Sequence, residues 1–258
     1  MKNKYSKILV LLTVIVLVLS FVSAEASNKE DNKAKLERNK ANEPLDKITF
    51  IHYKDGTVKE MGRAASGNQY GNQNKLAVCY KLLGVKWNLL PVSYVIGSTD
   101  SFVISAISTA TTTWDKATSK NLFTIYTTDP LAMWDDGITN PVDYKNEYVF
   151  GSYSNNNVIA VTVIWYTRYG MQIVDYDVLF NTYYTWKDCS IETCSVDTRD
   201  MDLQNIATHE TGHGIGLADL YTSTCSAVTM YGYASVGELI KRTLEKADIT
   251  GLQKMYGI

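Results

Sequence analysis

His209-Glu210-Thr211-Gly212-His213-Gly214-Ile215-Gly216-Leu217-Ala218-Asp219 is the run from which the rest of the chain is best read. Residues four apart on a helix share a face, so His209 and His213 can offer two imidazole nitrogens to one ion at a separation that suits tetrahedral zinc. Glu210, one position on, points to the side, where it reaches a water on the ion without ligating it. A catalytic zinc needs three protein donors and a free position for water. Gly216 predicts the end of the helix, because glycine takes the left-handed conformation without a Cβ clash. The chain can then turn and bring Asp219 to the same ion. Gly212 disfavours a helix interior by about 1 kcal/mol relative to alanine, so a close contact or a functional need is expected to keep it there. The plain alternatives are a polar helix face with no ion and, for Asp219, a loop carboxylate. The joint spacing of Gly216 and Asp219 with the histidines argues against both.

The neighbouring sequence is that of a globular domain from Cys79 onward. Helical signals run from Asp202 to Gly214, with Asp200 or Asp202 as the cap. A final helix is expected from Val236 or Glu238 to Met255, broken near Thr250-Gly251. Upstream, Trp87–Ile96 reads as a first strand and Leu122–Tyr126 as a short one. Ser101–Lys116 carries Val103, Ile104, Ile107, Ala110 and Trp114 at the spacing of an amphipathic helix. Val158–Tyr166 and Met171–Phe180 are β-branched and aromatic runs joined at Arg168-Tyr169-Gly170, which predicts a hairpin. One helix among strands, followed by two more helices, predicts an α+β fold with the helices packed on one sheet.

With these residues in place, the chain resembles the metzincins. His-Glu-x-x-His-x-x-Gly-x-x-Asp is similar to their signature, with aspartate as third ligand as in the snapalysin group. Cys225-Ser226-Ala227-Val228-Thr229-Met230-Tyr231-Gly232-Tyr233 resembles their Met-turn, and the resemblance makes Met230 an apolar floor under the metal. Asp248–Gly257 is similar to the closing helix of matrixins, and Trp87–Ile96, Ile173–Asn181 and Asp202–Thr208 to matrixin strands and the approach to the active helix. The resemblance, over roughly residues 79–258, implies a twisted mixed sheet with an active-site helix, a Met-turn and a C-terminal helix. It implies one catalytic Zn2+ on His209, His213 and Asp219, with Glu210 as general base for peptide hydrolysis. Tyr231 and Tyr233 are candidates for a substrate pocket or an oxyanion contact. Gly232 stands where matrixins carry proline, so substrate preference does not transfer. The rival function is a zinc-containing surface or binding protein without hydrolysis.

Matrixins often hold a second zinc on histidines. This chain has 3 histidines, and His52, ahead of the domain, is read as a strand-surface or hairpin residue outside the site. Structural calcium is left unassigned, with Asp129, Asp135, Asp136, Asp143 and Asp175 as loose candidates. Four cysteines, Cys79, Cys189, Cys194 and Cys225, allow three pairings, of which Cys79–Cys225 with Cys189–Cys194 is the first choice. The alternative for Cys79 is a propeptide cysteine on the zinc.

The N-terminus reads as a targeting segment. Lys2, Lys4 and Lys7 precede the apolar Ile8–Val22 and the small-x-small Ala24-Glu25-Ala26, which predicts a signal peptide over 1–26, cut after Ala24 or Ala26. The competing expectation is a retained anchor over 8–22. Residues 27–78 read as a flexible linker with a short hairpin around Lys54-Asp55-Gly56, a candidate propeptide, and 79–258 as the catalytic domain. Secretion, or another extracytoplasmic location, follows. With 25 basic and 27 acidic residues the charge is balanced, so no field points to nucleic acid. The expected partner is a protein or peptide substrate, with no membrane unless the anchor is kept; oligomeric state is not legible.

Overall fold

The computed structural model describes residues 43–54, 78–195 and 198–258. The signal segment, the hairpin turn after Lys54 and the Gly/Asn/Gln-rich stretch at 62–75 lie outside the described residues. Leu45–Ile258 form one compact unit. Its main element is a seven-stranded mixed sheet of β1 (Leu45–Lys54), β2 (Tyr94–Ile96), β3 (Thr127–Thr128), β4 (Asn146–Gly151), β5 (Val158–Thr167), β6 (Ile173–Asn181) and β9 (Tyr233–Ala234). The strand order is β3-β2-β4-β6-β5-β1-β9. β7 (Thr185–Lys187) and β8 (Asp200–Asp202) form a separate two-stranded ribbon. Three helices follow the expected order: α1 (Ser101–Asp115), α2 (Leu203–Gly214) and α3 (Lys246–Tyr256). The fold is α+β, as expected. Among the described residues no helix is long and apolar enough to cross a membrane.

The predicted hairpin forms, with Ala160 opposite Phe180 and Trp165 opposite Asp175. Both faces of β5 are covered, which explains a nearly unbroken apolar run in place of alternation. Ile159 and Ile164 meet the helices, while Val161 and Val163 pack on the other face with Trp165 and Trp134. Each such fully buried side chain contributes about 1.5–3 kcal/mol. Asp100 caps α1 by accepting from Phe102 N at 2.8 Å. The buried stripe Val103–Ala106–Ile107–Ala110–Trp114 then seats α1 in the core.

Four expectations are corrected. The first strand is Tyr94–Ile96, not Trp87–Ile96, because Pro91 has no N–H to give a ladder. Leu122–Tyr126 makes a single bridge, Phe123 to Val92, and the strand proper is Thr127–Thr128. The last helix starts at Lys246, fixed by the reciprocal cap of Glu245 and Asp248, and runs unbroken through Gly251. Within the segment 27–78 read as linker and hairpin, Leu45–Lys54 form a ten-residue strand of the main sheet. β1 pairs antiparallel with β5 from Leu45 opposite Thr167 to Tyr53 opposite Val158. It pairs parallel with β9 at Tyr53 and Lys54. The compact unit therefore starts at Leu45 rather than Cys79.

Candidate metal centre

α2 begins where Asp202 accepts from Asn205 N at 2.8 Å. Its register carries His209 and His213 on one face, and His213 sits in the last turn. Gly216 follows with φ +103°, and a Cβ there would lie 2.5 Å from Val85 O. The turn is pinned from outside by Leu83 N on Gly216 O and Ala218 N on Lys81 O, both 2.9 Å. Asp219 is thereby returned to the helix face. Gly212 has the close contact expected of it: a Cβ would stand 2.3 Å from Met230 Sδ and 2.8 Å from Trp114 Cζ2. Met230 and α1 thus press directly on the back of the ligand helix.

The three donors form a near-equilateral triangle. His209 Nε2 and His213 Nε2 are 3.2 Å apart, and Asp219 Oδ1 lies 3.2 and 3.3 Å from them. Ligand atoms at the usual zinc bond lengths occupy a tetrahedron with edges of about 3.3–3.4 Å, so the triangle fits one face of a zinc tetrahedron. The tautomers agree. His209 Nδ1 lies 2.7 Å from Thr229 O and His213 Nδ1 2.8 Å from Leu217 O. A carbonyl only accepts, so each Nδ1 carries the hydrogen and each Nε2 turns its lone pair inward. Asp219 Oδ1 is buried without a hydrogen-bond partner, as a carboxylate oxygen meant for a cation would be. Its other oxygen accepts from Tyr221 OH at 2.9 Å.

Glu210 is held from two sides. Thr162 Oγ1 donates to Oε2 at 2.5 Å and His52 Nδ1 meets Oε1 at 2.9 Å. Burial draws His52 down to about 3, so this contact is a hydrogen bond from a neutral imidazole and not an ion pair. Burial likewise raises Glu210. The His52 ring lies 4.1 Å from that of His209, and Phe50 stacks on His213 at 3.8 Å. His209, Glu210 and His213 are fully enclosed.

Against the sequence expectations, His209, Glu210, His213 and Asp219 converge and Met230 backs the helix. Tyr231 and Tyr233 form an aromatic group with Tyr221, and Tyr221 donates to the ligand residue Asp219. Tyr221, Thr162 and His52 are the residues that sequence reasoning missed. Only Tyr221, two residues past Asp219, lay near enough in sequence to be suspected. His52, placed outside the site by sequence, is inside it. Cys79 pairs with Cys225 and Cys189 with Cys194, which removes Cys79 as a zinc-binding propeptide thiol.

A second buried polar cluster lies beside β4 and β6. Asp135, Asp143 and Asp175 gather, as do Asp135, Glu147 and Asp177. Asp177 accepts from Asp135 N at 2.7 Å and Glu147 N at 2.9 Å. Asp175 Oδ2 accepts from Tyr144 N at 3.1 Å, while its Oδ1 is buried without a partner. Burial pushes Asp177 up to about 8 and Glu147 to about 7. A cavity of about 180 Å³ opens onto Asp135, Asp143 and Glu147. Of the earlier candidates, Asp129 and Asp136 instead accept local backbone N–H groups, from Leu131 and from Ile138.

A search of curated proteins finds no match. The family model described as Matrixin matches residues 86–257.

Proposed function

The chain belongs to the matrixin family, and from that premise we propose that it is a secreted zinc endopeptidase in which His209, His213 and Asp219 hold one catalytic zinc and Glu210 is the general base. Family membership carries zinc-dependent hydrolysis of protein or peptide substrates. The observation that supports the finer assignment is the donor triangle, with its inward lone pairs and the unpartnered Asp219 Oδ1. Zinc there supplies Lewis acidity and a water of lowered pKa. Glu210 takes the proton of the attacking water and hands it to the leaving amine nitrogen. Thr162 aims the Glu210 carboxylate, and Tyr221 aims Asp219. Met230 sets the height of the helix that bears the histidines.

The test is a zinc assay coupled to chelator-sensitive cleavage of a mixed peptide library by the full chain. One zinc per chain, and activity lost to chelator and regained with zinc, is expected. A metal-free protein, or cleavage indifferent to chelator, refutes the assignment. The rival, a zinc-holding binding protein, shares the triangle but has no use for a carboxylate beside it.

Secretion is supported by the basic lead, the apolar run and the small residues at 24–26, together with two disulfides, which persist in oxidising compartments. Mass analysis of the mature chain should find no residues 1–24. A chain beginning at Met1 points to the anchor instead.

The orphaned Asp175 Oδ1 favours a second ion. Carboxylates of Asp135, Asp143, Glu147, Asp175 and Asp177 offer only hard oxygen donors, the set that suits Ca2+. Calorimetric titration should give one site, absent in Asp175→Asn; a flat titration of the wild type removes it.

A further inference from the structure

We infer that the cavity between α1 and residues 121–126 is a docking site for an arginine side chain of a polypeptide, separate from the metal centre. It measures about 390 Å³ and is lined by α1 from Ser108 to Asp115, by Tyr94 of β2 and by the run that leads into β3. None of its lining residues bonds to the donor triangle or to Glu210. The hydrogen bonds within its walls define the ligand. Ser108 Oγ donates to Ile104 O at 2.7 Å, Thr111 Oγ1 to Ser108 O at 3.0 Å and Thr112 Oγ1 to Ser108 O at 2.7 Å. Thr124 Oγ1 donates to Ile125 O at 3.1 Å. A carbonyl only accepts, so each of these hydroxyls has used its one hydrogen inside the protein and keeps only lone pairs. Tyr94 OH, 2.9 Å from Thr111 Oγ1, is then the donor of that pair and is likewise left with lone pairs. Five of the six hydroxyls on the wall thus offer acceptors alone, and Tyr126 and Asn121 can accept as well.

The one charged group on the wall is Asp115. Its Oδ1 accepts from Leu122 N at 2.7 Å and from Phe123 N at 3.2 Å, which fixes the carboxylate and leaves Oδ2 for a ligand. Burial raises its pKa, and no cation of the described residues offsets this. The matching ligand is rich in donors, positively charged and free of acceptors. Guanidinium meets all three conditions, with five N–H groups in one plane. An ammonium has three donors about a point and holds its own water more tightly. A carbonyl or carboxylate would set its oxygen against lone pairs. The apolar wall accounts for the stem. Phe123 stands edge-on to Tyr94 at 5.8 Å, Tyr126 lies 6.3 Å from the same ring, and Ile125 is exposed. Aromatic rings attract a guanidinium, and the three-carbon stem of arginine lies well on such a surface. Thr112, Asn121 and Thr124 are exposed too, so the side chain can enter while its backbone stays outside, as in a residue of a longer polypeptide.

The experiment follows amide NMR shifts of the isotope-labelled full chain during titration with N-acetyl-arginine methylamide, with its citrulline counterpart and with methylguanidinium. Citrulline keeps the stem but exchanges the charge and one nitrogen for a carbonyl oxygen. Shifts within 108–126 should move with the arginine compound while those of 209–219 stay still, and citrulline should bind about 10- to 100-fold more weakly. Asp115→Asn, whose side-chain carbonyl can keep both backbone bonds, should weaken arginine by about 10-fold. Thr112→Val removes one acceptor at an exposed position and should cost roughly 3-fold. Citrulline binding as tightly as arginine overturns the proposal, as does Asp115→Asn binding unchanged with a wild-type spectrum. Shifts of 108–126 that ignore the arginine compound overturn it too. Methylguanidinium should bind more weakly than the arginine compound; equal binding would assign the cavity to small guanidinium compounds and refute the polypeptide. Because the readout is binding, its outcome is independent of the peptidase assignment.

Discussion

The donor triangle on α2 and the carboxylate cluster beside β6 are buried, apart from Asp143 at the cluster's rim, and each leaves one carboxylate oxygen, Asp219 Oδ1 and Asp175 Oδ1, without a partner. They differ in the chemistry of their donors. In the triangle two of three donors are imidazole rings fixed through Nδ1 by main-chain carbonyls, so its shape is set by the fold. In the cluster every donor is an acid, and burial lifts Asp177 to about 8 and Glu147 to about 7. Burial thus favours protons on those two acids, while Asp143 is paired with Lys145. A preorganised site selects a metal by geometry, whereas a charge-rich site trades protons for the metal it binds.

The largest effect that tests this contrast is at Glu210. Glu210→Ala should lower kcat/KM by roughly 10²–10⁴-fold with zinc per chain unchanged. Turnover near wild type would sink the assignment of the base. Next comes the cluster: Ca2+ at about 100 times its Kd should add about 2.7 kcal/mol of stability, read as a rise in Tm that Asp175→Asn abolishes. A Tm indifferent to calcium would count against a cation there.

The same cluster gives a pH signature. Folded pKa values above the ordinary range mean that the native state binds more protons than the unfolded one, so stability falls as pH rises. In chelator, Tm should decline from about pH 4 through the folded values of about 7 and 8. Saturating calcium should remove that decline; a flat Tm in chelator contradicts it. The smallest effect is expected at Tyr221→Phe, which loosens Asp219 and should weaken zinc binding by roughly 10–100-fold, measured by competition with a fluorescent chelator. Unchanged affinity would remove Tyr221 from the support of the triangle.

What was legible follows the range of each interaction. His209, Glu210, His213, Gly216 and Asp219 lie within eleven residues, and helix spacing alone places them together. The contact between His52 and Glu210 spans 158 positions, and nothing local in Ile48–Tyr53 separates a strand over the site from a hairpin beside it. β4 was missed because Asn146 and Glu147 are polar, yet both are buried. There Asn146 Oδ1 accepts from Tyr176 N at 3.0 Å, and the Glu147 side chain joins the acid cluster. The cluster itself was half legible: Asp135, Asp143 and Asp175 stood among the candidates, while Asp177, one strand step from Asp175, did not.

The Cys79–Cys225 bond spans 146 positions, enough that the chain-entropy view assigns it about 5 kcal/mol. Its position matters as much as its size. It ties the chain just ahead of the family-matched region, which begins at residue 86, to the segment that leads into Met230. A backbone break anywhere between Lys54 and Cys79 would therefore leave the new terminus covalently tied to the segment that carries Met230, rather than free to fray.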